Sequence, residues 1–397
     1  MERRKLRIGV DLAPLRLPLT GVGNYELYLL AALLSRPDAP QIHGFAKRTW
    51  TKVDTNYIAE FQSLSEREIA GGNWSWAAQT KRLIQRSERA RGVYFWIRRR
   101  AFERSCGAKD LSLFHAFAYV APGNPRVPVI PVVYDLSFVR FPEAHPPARI
   151  QSLRLLPKQL QAAPVVHPIS RYSAHEISDV FGISLSRIAV IYPGVNPSFA
   201  EMPSESPSVA LARYKLEPGQ FFMVVSTLEP RKNLRSLIIA YSRLSRVDRS
   251  RFPLCVVGAT GWGSLDLPTN VQALEREGSL RFFGFVPNQH LQVLYATTRA
   301  MFYPSIYEGF GMPIIEALAC GARVICSDAA SMPEAGGTVT RWVAPLDIDG
   351  WFRELQLAAE VADSDIEERN RRQLHAKQFT WARAAAQTTE LYQRVTT

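Results

Sequence analysis

The sequence predicts an α/β protein made of two doubly wound domains, each built on a mostly parallel sheet covered by helices. First, 397 residues are too many for one ordinary core and suit two domains of roughly 150–200 residues. Second, short apolar runs alternate with amphipathic stretches along the chain, as in successive βαβ units. Third, a Pro- and Ser-rich stretch at 200–208 separates the two series.

In the first half, short apolar runs predict five strands and two amphipathic stretches predict helices. The predicted strands are Leu6–Val10, Leu111–His115, Val129–Tyr134, Pro164–Ile169 and Ile188–Tyr192, and the predicted helices are Tyr25–Ser35 and Ser173–Val180. We therefore assign residues 1–199 to an N-terminal Rossmann-like domain and residues 200–220 to a linker.

The second half repeats the pattern more regularly. The predicted strands are Phe221–Ser226, Pro253–Val257, Leu280–Gly284, Ala300–Tyr303 and Arg323–Ser327, and the predicted helices are Leu234–Leu244, Gln289–Ala296 and Ile314–Ala319. Residues 221–379 therefore form a second Rossmann-like domain. Ligands of such domains bind at the carboxyl ends of the strands, so we expect the active site in a cleft that the two domains face.

Composition narrows the class of protein. Four cysteines without metal-ligand spacing favour reduced thiols in a cytoplasmic protein. No stretch of about 18 apolar residues occurs, so the sequence predicts no membrane-spanning helix.

The positive charge lies in the first half of the chain. Residues 1–196 hold 27 Lys and Arg against 15 Asp and Glu, whereas residues 197–397 hold 21 of each. Much of the excess falls in residues 81–104, where arginines alternate with aromatic and aliphatic residues. This pattern is typical of a helix that meets an anionic bilayer surface, and a solvated basic helix is the alternative. No nucleic-acid-binding motif accompanies it, so we expect no nucleic-acid partner.

The segment Tyr307–Leu318 carries the most specific chemical signal. It follows a predicted strand, and its two glycines allow close backbone approach before Pro313 begins a helix. The free N–H groups at such a helix start attract phosphate or sugar oxygens. Glu308 and Glu316 bracket the loop, one carboxylate at each end.

The spacing of Glu308 and Glu316 resembles the Glu-x7-Glu motif of the family 4 retaining glycosyltransferases, which have the GT-B fold. The resemblance implies that Glu308 contacts the transferred sugar and that Glu316 binds the ribose hydroxyls of a nucleotide sugar. It further implies that the intervening backbone reaches the sugar and the diphosphate. The substrate-binding residues assigned in this way are Phe310, Gly311, Met312 and Pro313.

A second segment, Val225–Leu234, runs from a strand through a turn into a helix. Arg231 and Lys232 are adjacent cations at the end of the strand, where they suit a diphosphate better than a core. The turn resembles the family's phosphate-binding turn, with Lys232 at the lysine position. Thr227 stands where relatives commonly have an arginine, and Arg231 is the candidate to supply that charge.

We expect no metal or other cofactor. The Asp-x-Asp pattern of metal-dependent glycosyltransferases occurs only at Asp347–Asp349 and Asp363–Asp365, after the last predicted strand. Acidic turns or helix starts explain both pairs, and cationic side chains with a helix N-terminus would take the metal's place.

In the first half, Gly21 and Gly23 form a glycine turn between the first strand and the first helix. Its position resembles the family's first loop, near the diphosphate and the glycan acceptor, although packing alone also explains the glycines. Tyr134 and Asp135 follow another strand. Relatives commonly have His-Asp there, so Asp135 matches while Tyr134 departs from the pattern.

His115 is the nearby imidazole that could replace the missing histidine, and Ser170 with Arg171 resembles a position on the cleft wall. The last helix, 380–397 with Trp381, resembles the family's C-terminal element that crosses back to the first domain.

These assignments predict a hexosyltransferase that retains anomeric configuration, with Glu308, Lys232, Arg231, Asp135 and Tyr134 as catalytic residues. The resemblance is strongest to bacterial mannosyltransferases of surface polysaccharide (O-antigen or capsule) assembly. It implies GDP-mannose as donor and a glycan or lipid-linked glycan as acceptor. The basic aromatic stretch 81–104 would then hold this cytoplasmic protein at the periphery of the inner membrane. The alternatives are another donor (a GDP-deoxyhexose, UDP-sugar or dTDP-sugar), a different enzyme on the same fold, or a non-catalytic binding subunit.

Overall fold

The computed structural model describes residues 5–17, 19–71, 88–201, 205–259, 261 and 266–397. These residues form two compact units. The first contains residues 1–136, 147–194 and 381–397, and the second contains residues 137–146 and 195–380. The short segment 137–146 therefore groups with the second unit. The sequence had placed it in the N-terminal domain, residues 1–199.

The first unit is built on a six-stranded sheet with the order β3-β2-β1-β4-β5-β6. All its neighbouring strands are parallel except the β2–β3 pair. Its strands are, in chain order, β1 (Arg7–Asp11), β2 (Gln41–Ala46), β3 (Thr49–Val53), β4 (Leu113–Ala116), β5 (Val129–Val133) and β6 (His167–Pro168).

Two sequence predictions for this sheet were wrong. The β2–β3 hairpin was missed because its two-residue turn, Lys47-Arg48, carries no glycine or asparagine, even though Lys47 takes a positive φ of 53°. The predicted strand Ile188–Tyr192 is not a strand, since only a single bridge joins Ile188 to Val166. Its apolar residues are explained by burial, as at Ile191.

Helices cover the faces of the first sheet. Those between residues 21 and 181 are α1 (Gly21–Leu34), α2 (Thr55–Gly71), α3 (Glu88–Cys106), α4 (Ser137–Arg140, grouped with the second unit), α5 (Pro147–Leu153), α6 (Leu156–Ala162) and α7 (Arg171–Phe181). The C-terminal helix also belongs to this unit, and the Trp381 ring packs against Tyr25 and Tyr28 of α1 at centroid distances of 5.3 and 5.8 Å.

The second unit is built on a six-stranded, all-parallel sheet with the order β12-β11-β10-β7-β8-β9. Its strands are β7 (Phe222–Val225), β8 (Leu254–Val257), β9 (Leu280–Gly284), β10 (Ala300–Tyr303), β11 (Val324–Ser327) and β12 (Arg341–Val343). The sequence predicted the first five of these strands to within one residue at each end. It missed β12, a three-residue edge strand that begins with an exposed arginine.

The helices of the second unit pack a continuous apolar core against this sheet, with Phe222, Phe302 and Trp351 at its centre. They are α8 (Pro207–Ala212), α9 (Leu234–Ser242), α10 (Arg246–Arg251), α11 (Val271–Arg276), α12 (Asn288–Thr297), α13 (Met312–Ala319), α14 (Met332–Gly336), α15 (Ile348–Glu360) and α16 (Ile366–Ala376), followed by α17 (Trp381–Thr396) of the first unit. Helix α8 lies inside the predicted linker 200–220, because its buried Ala210 and Leu211 make it part of the second unit.

Among the helices of the described ranges, none is both long enough and apolar enough to cross a membrane.

Candidate active site

The second sheet has a switch point between β7 and β10. These strands are neighbours, yet the chain leaves β7 toward β8 on one side and leaves β10 toward β11 on the other. In open parallel sheets, ligands bind in the crevice outside the carboxyl ends of the strands at such a point. The loops that follow β7 and β10 are the two segments that the sequence singled out, so the fold brings them together.

The loop after β7 ends in a single 3-10 turn, Pro230–Lys232. Pro230 pre-sets its first position, and Asn233 closes the turn in the left-handed conformation with φ 53°. The Asn233 amide nitrogen donates to the carbonyl oxygens of Pro304 at 3.0 Å and Pro345 at 2.6 Å. Asn233 therefore ties this turn to the loop after β10, which explains an asparagine directly after Lys232.

Glu308 lies at the centre of the site and is 6% exposed. Its Oε1 accepts hydrogen bonds from the Tyr303 hydroxyl at 2.6 Å, from the Ser305 hydroxyl at 2.9 Å and from the Lys232 ammonium. Its Oε2 accepts from Nη1 of Arg231 at 3.0 Å. A buried carboxylate with this set of donors is held in a single orientation.

Electrostatics keep Glu308 ionised. Burial opposes ionisation, but the ammonium of Lys232 and the guanidinium of Arg231 outweigh it, so the pKa of Glu308 falls to about 2. Burial and the neighbouring Arg231 lower the pKa of Lys232, and Glu308 opposes that effect. The site thus presents a fixed negative charge beside two cations.

Carboxylates hold both cations in this structure. Arg231 donates through Nε to Glu229 at 2.9 Å as well as to Glu308, and Thr227 donates its hydroxyl to Glu229 at 3.1 Å. Thr227, which stands at the position of an arginine in relatives, therefore helps to orient Arg231 through Glu229. A diphosphate here would compete with Glu229 and Glu308 for the two cations.

The loop after β10 turns into α13 at Gly311, which has a positive φ of 99° that glycine adopts without strain. Pro313 lies in the first turn of the helix, and this helix start follows the carboxyl end of β10, where helix-start amides attract anions. The Phe310 ring is buried against Phe379 at a centroid distance of 5.4 Å, which leaves its backbone as the part that can meet a ligand.

Glu316 lies on α13 and is partly buried. Burial raises its pKa to about 7, against a lowering hydrogen bond that the Tyr295 hydroxyl donates to Oε2 at 3.3 Å. The two glutamates of the motif therefore ionise differently, because cations lower the pKa of Glu308 whereas burial raises the pKa of Glu316.

Sequence reasoning missed three side chains of this site. Tyr303 and Ser305 bind the Glu308 carboxylate, and Glu229 binds Arg231. The Ser331 hydroxyl also holds the loop, since it donates to the Glu308 carbonyl oxygen at 2.8 Å. The available signal was a tyrosine that ends a buried strand, Tyr303, and a serine shortly after it, Ser305.

The first sheet has the corresponding switch point between β1 and β4. Asp11 ends β1 with no exposed surface and accepts a hydrogen bond from Nη2 of Arg98 at 2.6 Å. Gly21 and Gly23 lie inside the first turn of α1 rather than in a turn before it. A side chain on Gly23 would meet the Pro14 carbonyl oxygen at 2.7 Å, whereas one on Gly21 would meet nothing within 4 Å.

Two buried groups near this switch point have no hydrogen-bond partner among the described residues. They are both carboxylate oxygens of Glu26, on α1, and the hydroxyl of Tyr134, after β5. Burial and the charge of Asp11 raise the pKa of Glu26 well above its ordinary range. Burial and Glu26 do the same for the Tyr134 phenol. Glu26 was not among the sequence-predicted residues.

The other predicted residues of this unit are engaged within it. Asp135 is partly buried and accepts from the Tyr119 hydroxyl at 3.3 Å. Ser170 is the N-cap of α7, where its hydroxyl oxygen accepts the Ser173 N–H at 3.0 Å.

His115 lies in a buried network rather than at an open edge. One ring nitrogen contacts the Tyr392 hydroxyl at 2.8 Å and the other contacts His167 at 3.0 Å, and His167 in turn contacts the Tyr25 hydroxyl at 2.8 Å. Burial lowers the pKa of both histidines. In this arrangement neither ring nitrogen of His115 is available to a sugar, and the network holds α17 against the sheet.

Both late Asp-x-Asp pairs have structural roles. Asp347 and Asp365 cap the N-termini of α15 and α16, whereas Asp349 pairs with Arg243 and Asp363 pairs with Arg372. Within the part of the chain that the structure describes, no group of three or more His, Cys, Asp or Glu side chains is arranged to hold a metal ion.

Comparisons with known proteins agree with this fold. The family described as "Glycosyl transferases group 1" matches residues 213–343, which include both halves of the site at the second switch point. O-antigen chain mannosyltransferase B of Escherichia coli is 30% identical over 383 residues, covering 96% of this chain and 97% of that protein.

Solved structures show the same architecture. Anabaena HepE, in a complex with UDP and glucose, superposes with a TM-score of 0.67 at 18% identity, covering 98% of this chain and all of that one. WaaG, a glycosyltransferase involved in lipopolysaccharide biosynthesis, superposes with a TM-score of 0.64 at 13% identity, covering 97% and 99%. The chain has two Rossmann-like sheets and is 30% identical to a mannosyltransferase over nearly its whole length. It therefore belongs to the group 1 glycosyltransferases and is an enzyme of the GT-B fold.

Proposed function

We propose that this glycosyltransferase moves mannose from GDP-mannose to a glycan or lipid-linked glycan during surface polysaccharide assembly, with retention of anomeric configuration and without a metal. The observation that carries the proposal is the ionised Glu308, held by Lys232 and Arg231 at the second switch point. The relationship to O-antigen chain mannosyltransferase B supports the choice of sugar and of product class.

The negative charge of the donor's diphosphate determines which residues of the second unit bind it. The diphosphate takes Lys232 and Arg231 as counter-ions and the free amides at the start of α13 as hydrogen-bond donors. Glu316 accepts hydrogen bonds from the ribose hydroxyls, and Glu308 orients the sugar. Two cations with helix amides can neutralise a leaving diphosphate, which is the task a metal has in other transferases.

The reaction is a front-face substitution. The bond between the anomeric carbon and the diphosphate oxygen breaks, and a bond from the acceptor hydroxyl oxygen to the same face of that carbon forms. The acceptor proton passes to the departing phosphate oxygen, so atoms and charge balance without an enzyme nucleophile. The fixed Glu308 carboxylate stabilises the positive charge that develops on the sugar ring.

The first unit is assigned to the acceptor. Asp135 and Tyr134 follow β5 at the carboxyl edge of the sheet, and the Tyr134 hydroxyl, which has no hydrogen-bond partner among the described residues, would bind a sugar hydroxyl. Gly21, Gly23 and Ser170 lie at the starts of α1 and α7, at that same edge. We assign His115 to supporting this edge from inside the unit rather than to binding sugar.

Nucleotide release in the presence of an acceptor tests the proposal. The purified chain is incubated with GDP-mannose, a GDP-deoxyhexose, UDP-glucose or a dTDP-sugar, each with and without a mannose-containing lipid-linked acceptor. We expect release of GDP that depends on the acceptor, with an α-linked product that keeps the donor's configuration. Release without acceptor would point to a hydrolase or epimerase, an inverted product would contradict the retaining mechanism, and no release with any donor would indicate a binding subunit.

UDP-glucose is included in the donor panel because of a structural relative. HepE, which shares the fold, was solved with UDP and glucose. The described side chains at the second switch point give no reason in charge to prefer guanine over uracil, so the donor panel decides the base. A preference for UDP-glucose would replace GDP-mannose in the proposal and leave the roles of Glu308 and Lys232 unchanged.

A further inference from the structure

Helix α3 of the first unit is firmly anchored along its second half. Phe102 is fully buried against Phe45 and Phe114, at centroid distances of 5.0 and 5.2 Å. Arg98 reaches the buried Asp11 at 2.6 Å, and the Ser105 hydroxyl oxygen accepts from the Trp50 indole at 2.9 Å. One face of this half of the helix therefore packs on the sheet.

The preceding turn of the same helix is exposed on all sides in the part of the chain that the structure describes. Residues 92–96 are five consecutive exposed residues, which is more than one helical turn. Four of them are large and apolar or aromatic, with exposures of 57% at Val93, 42% at Tyr94, 45% at Phe95 and 57% at Trp96. We call residues 93–96 the aromatic tip. A contiguous exposed cluster of this kind marks an interaction surface rather than ordinary scatter.

An arginine-lined pocket of about 630 Å³ begins directly beside the aromatic tip. We call it the arginine pocket, and its charged lining is Arg99, Arg100, Arg104, Arg126 and Glu103. Four guanidinium groups thus face one carboxylate, and the Arg99 Nε donates to that carboxylate at 2.9 Å. Trp96 belongs to both features, since it lines the pocket and lies 4.8 Å from the Arg100 guanidinium.

Charge and polarity together identify the occupant. Arginines bind phosphate oxygens well, and tryptophan and tyrosine favour the boundary between lipid head groups and acyl chains. A second copy of the chain would bring the same excess of arginines against this surface, which disfavours self-association. Nucleic acid would satisfy the arginines and could stack its bases on the aromatic rings, but it would gain nothing from the exposed Val93, and no nucleic-acid-binding motif accompanies this stretch.

We propose that the aromatic tip and the arginine pocket form one docking surface for an anionic phospholipid bilayer. The guanidinium groups bind lipid phosphates, and the aromatic tip enters the interfacial layer beside them. The inference deepens the membrane placement expected from residues 81–104, of which residues 81–87 lie outside the described residues. It requires neither the donor nor the acceptor, so its failure and the failure of the proposed transfer reaction are separate results.

Flotation with vesicles tests the proposal on the full chain. Vesicles of phosphatidylethanolamine with phosphatidylglycerol are compared with vesicles of phosphatidylcholine alone, at low and at high salt. We expect binding to the anionic vesicles that weakens as salt rises, because the interaction of exposed charges is screened. Equal binding to both vesicle types, or no binding at low salt, would overturn the proposal.

Two triple variants separate the contributions of charge and apolar contact. The charge variant is Arg100→Gln/Arg104→Gln/Arg126→Gln, and the tip variant is Tyr94→Ser/Phe95→Ser/Trp96→Ser. Removing three guanidinium groups should weaken binding to anionic vesicles roughly 100-fold and flatten its salt dependence. The tip variant should weaken binding roughly tenfold or more and keep the preference for anionic lipid.

Matched controls remove the same number of guanidinium groups, or of exposed apolar side chains, from the second unit. They are Arg246→Gln/Arg276→Gln/Arg371→Gln for charge and Val247→Ser/Ile366→Ser/Leu374→Ser for apolar surface. Both controls should bind vesicles like the unchanged protein. If the controls lose as much vesicle binding as the α3 variants, the binding is non-specific, through overall charge or exposed apolar surface, and the proposal is contradicted.

Tryptophan quenching adds a readout of depth. Brominated lipids should quench fluorescence in the unchanged protein, and Trp96→Phe should bind vesicles yet lose that quenching. Sedimentation tests the competing occupants. A dimer that the tip variant dissociates would assign the surface to a second copy, and tighter binding to single-stranded DNA than to vesicles would assign it to nucleic acid. Unchanged thermal unfolding of both triple variants verifies that they remain folded.

Discussion

The two switch points of this enzyme have the same architecture, but a buried glutamate is ionised at one of them and neutral at the other. After β7 and β10, Glu308 is buried but ionised, because Lys232 and Arg231 hold its pKa at about 2. Near β1 and β4, Glu26 is buried with no hydrogen-bond partner among the described residues, and burial with the charge of Asp11 raises its pKa well above the ordinary range.

The difference indicates what each edge is suited to bind. In the proposed function, the paired, fixed charges of the second unit would stabilise a charged diphosphate and a positive sugar centre. Unpartnered polar groups in the first unit are suited to neutral hydroxyl groups, and each one lowers stability while it lacks a partner. The predictions below test this contrast in order of decreasing effect.

Lys232→Ala should have the largest effect, because it removes a buried cation from the second switch point. We expect kcat/KM for the donor to fall roughly 100- to 1,000-fold. Thermal unfolding should also shift downward, since Glu308 keeps only Arg231 as a counter-ion. Assays are run well below the unfolding midpoint, with Lys377→Ala at an exposed position as control. An unchanged kcat/KM would remove Lys232 from the donor site.

Donor affinity should depend on pH through Glu316. Its pKa of about 7 means that it is largely protonated at pH 6 and largely ionised at pH 8. Ribose hydroxyls donate to the ionised form, so binding releases a proton and affinity falls as pH falls. Calorimetry with GDP-mannose should give a Kd roughly tenfold weaker at pH 6 than at pH 8. Glu316→Gln should flatten this profile, and an equally steep profile in that variant would exclude Glu316 as its cause.

Glu26→Met should stabilise the protein at pH 8. Burial raises the pKa of Glu26 in the folded state, so its contribution to stability is favourable below the ordinary pKa and is lost as pH rises. Removing the unpartnered carboxyl should raise the free energy of unfolding by about 1–3 kcal/mol at pH 8, and the gain should shrink toward pH 4. Denaturant unfolding measures this, with the exposed Glu60→Met as control. Destabilisation at pH 8 would reveal a favourable partner for Glu26.

The smallest of these effects should be a difference in stability between alanine substitutions at the two glycines of α1. Gly23→Ala should destabilise, because the added carbon meets the Pro14 carbonyl oxygen at 2.7 Å. Gly21→Ala meets nothing and should be neutral or stabilising by up to about 1 kcal/mol. Thermal unfolding distinguishes them. A loss of activity in Gly21→Ala without loss of stability would assign that position to ligand binding, whereas equal destabilisation of both would refute the packing explanation.

The sequence predicted the second unit better than the first for physical reasons. Its strands β8, β10 and β11 are continuous apolar runs buried on both faces, and Lys232 and Glu308 lie in the loops that follow β7 and β10. The mutual contact of these residues was not predictable, since 76 positions separate them and only the strand order brings them together.

In the first unit, two kinds of information were missing from the sequence. The turn of the β2–β3 hairpin carries none of the residues that usually mark such turns, so local chemistry gave no signal. Glu26 follows Tyr25 in a helix that is buried on most sides, and only packing shows that it faces inward. His115 follows a strand as predicted, yet Tyr392, 277 positions away, engages its ring.

The acceptor-dependent turnover of Glu308→Gln tests the central claim most directly. Glutamine keeps the shape of the side chain but removes the charge that Lys232 and Arg231 hold, with Glu360→Gln at an exposed position as control. We predict that kcat at saturating GDP-mannose falls roughly 100-fold or more, while the Kd of the donor changes little. A kcat equal to that of the unchanged enzyme would contradict the account.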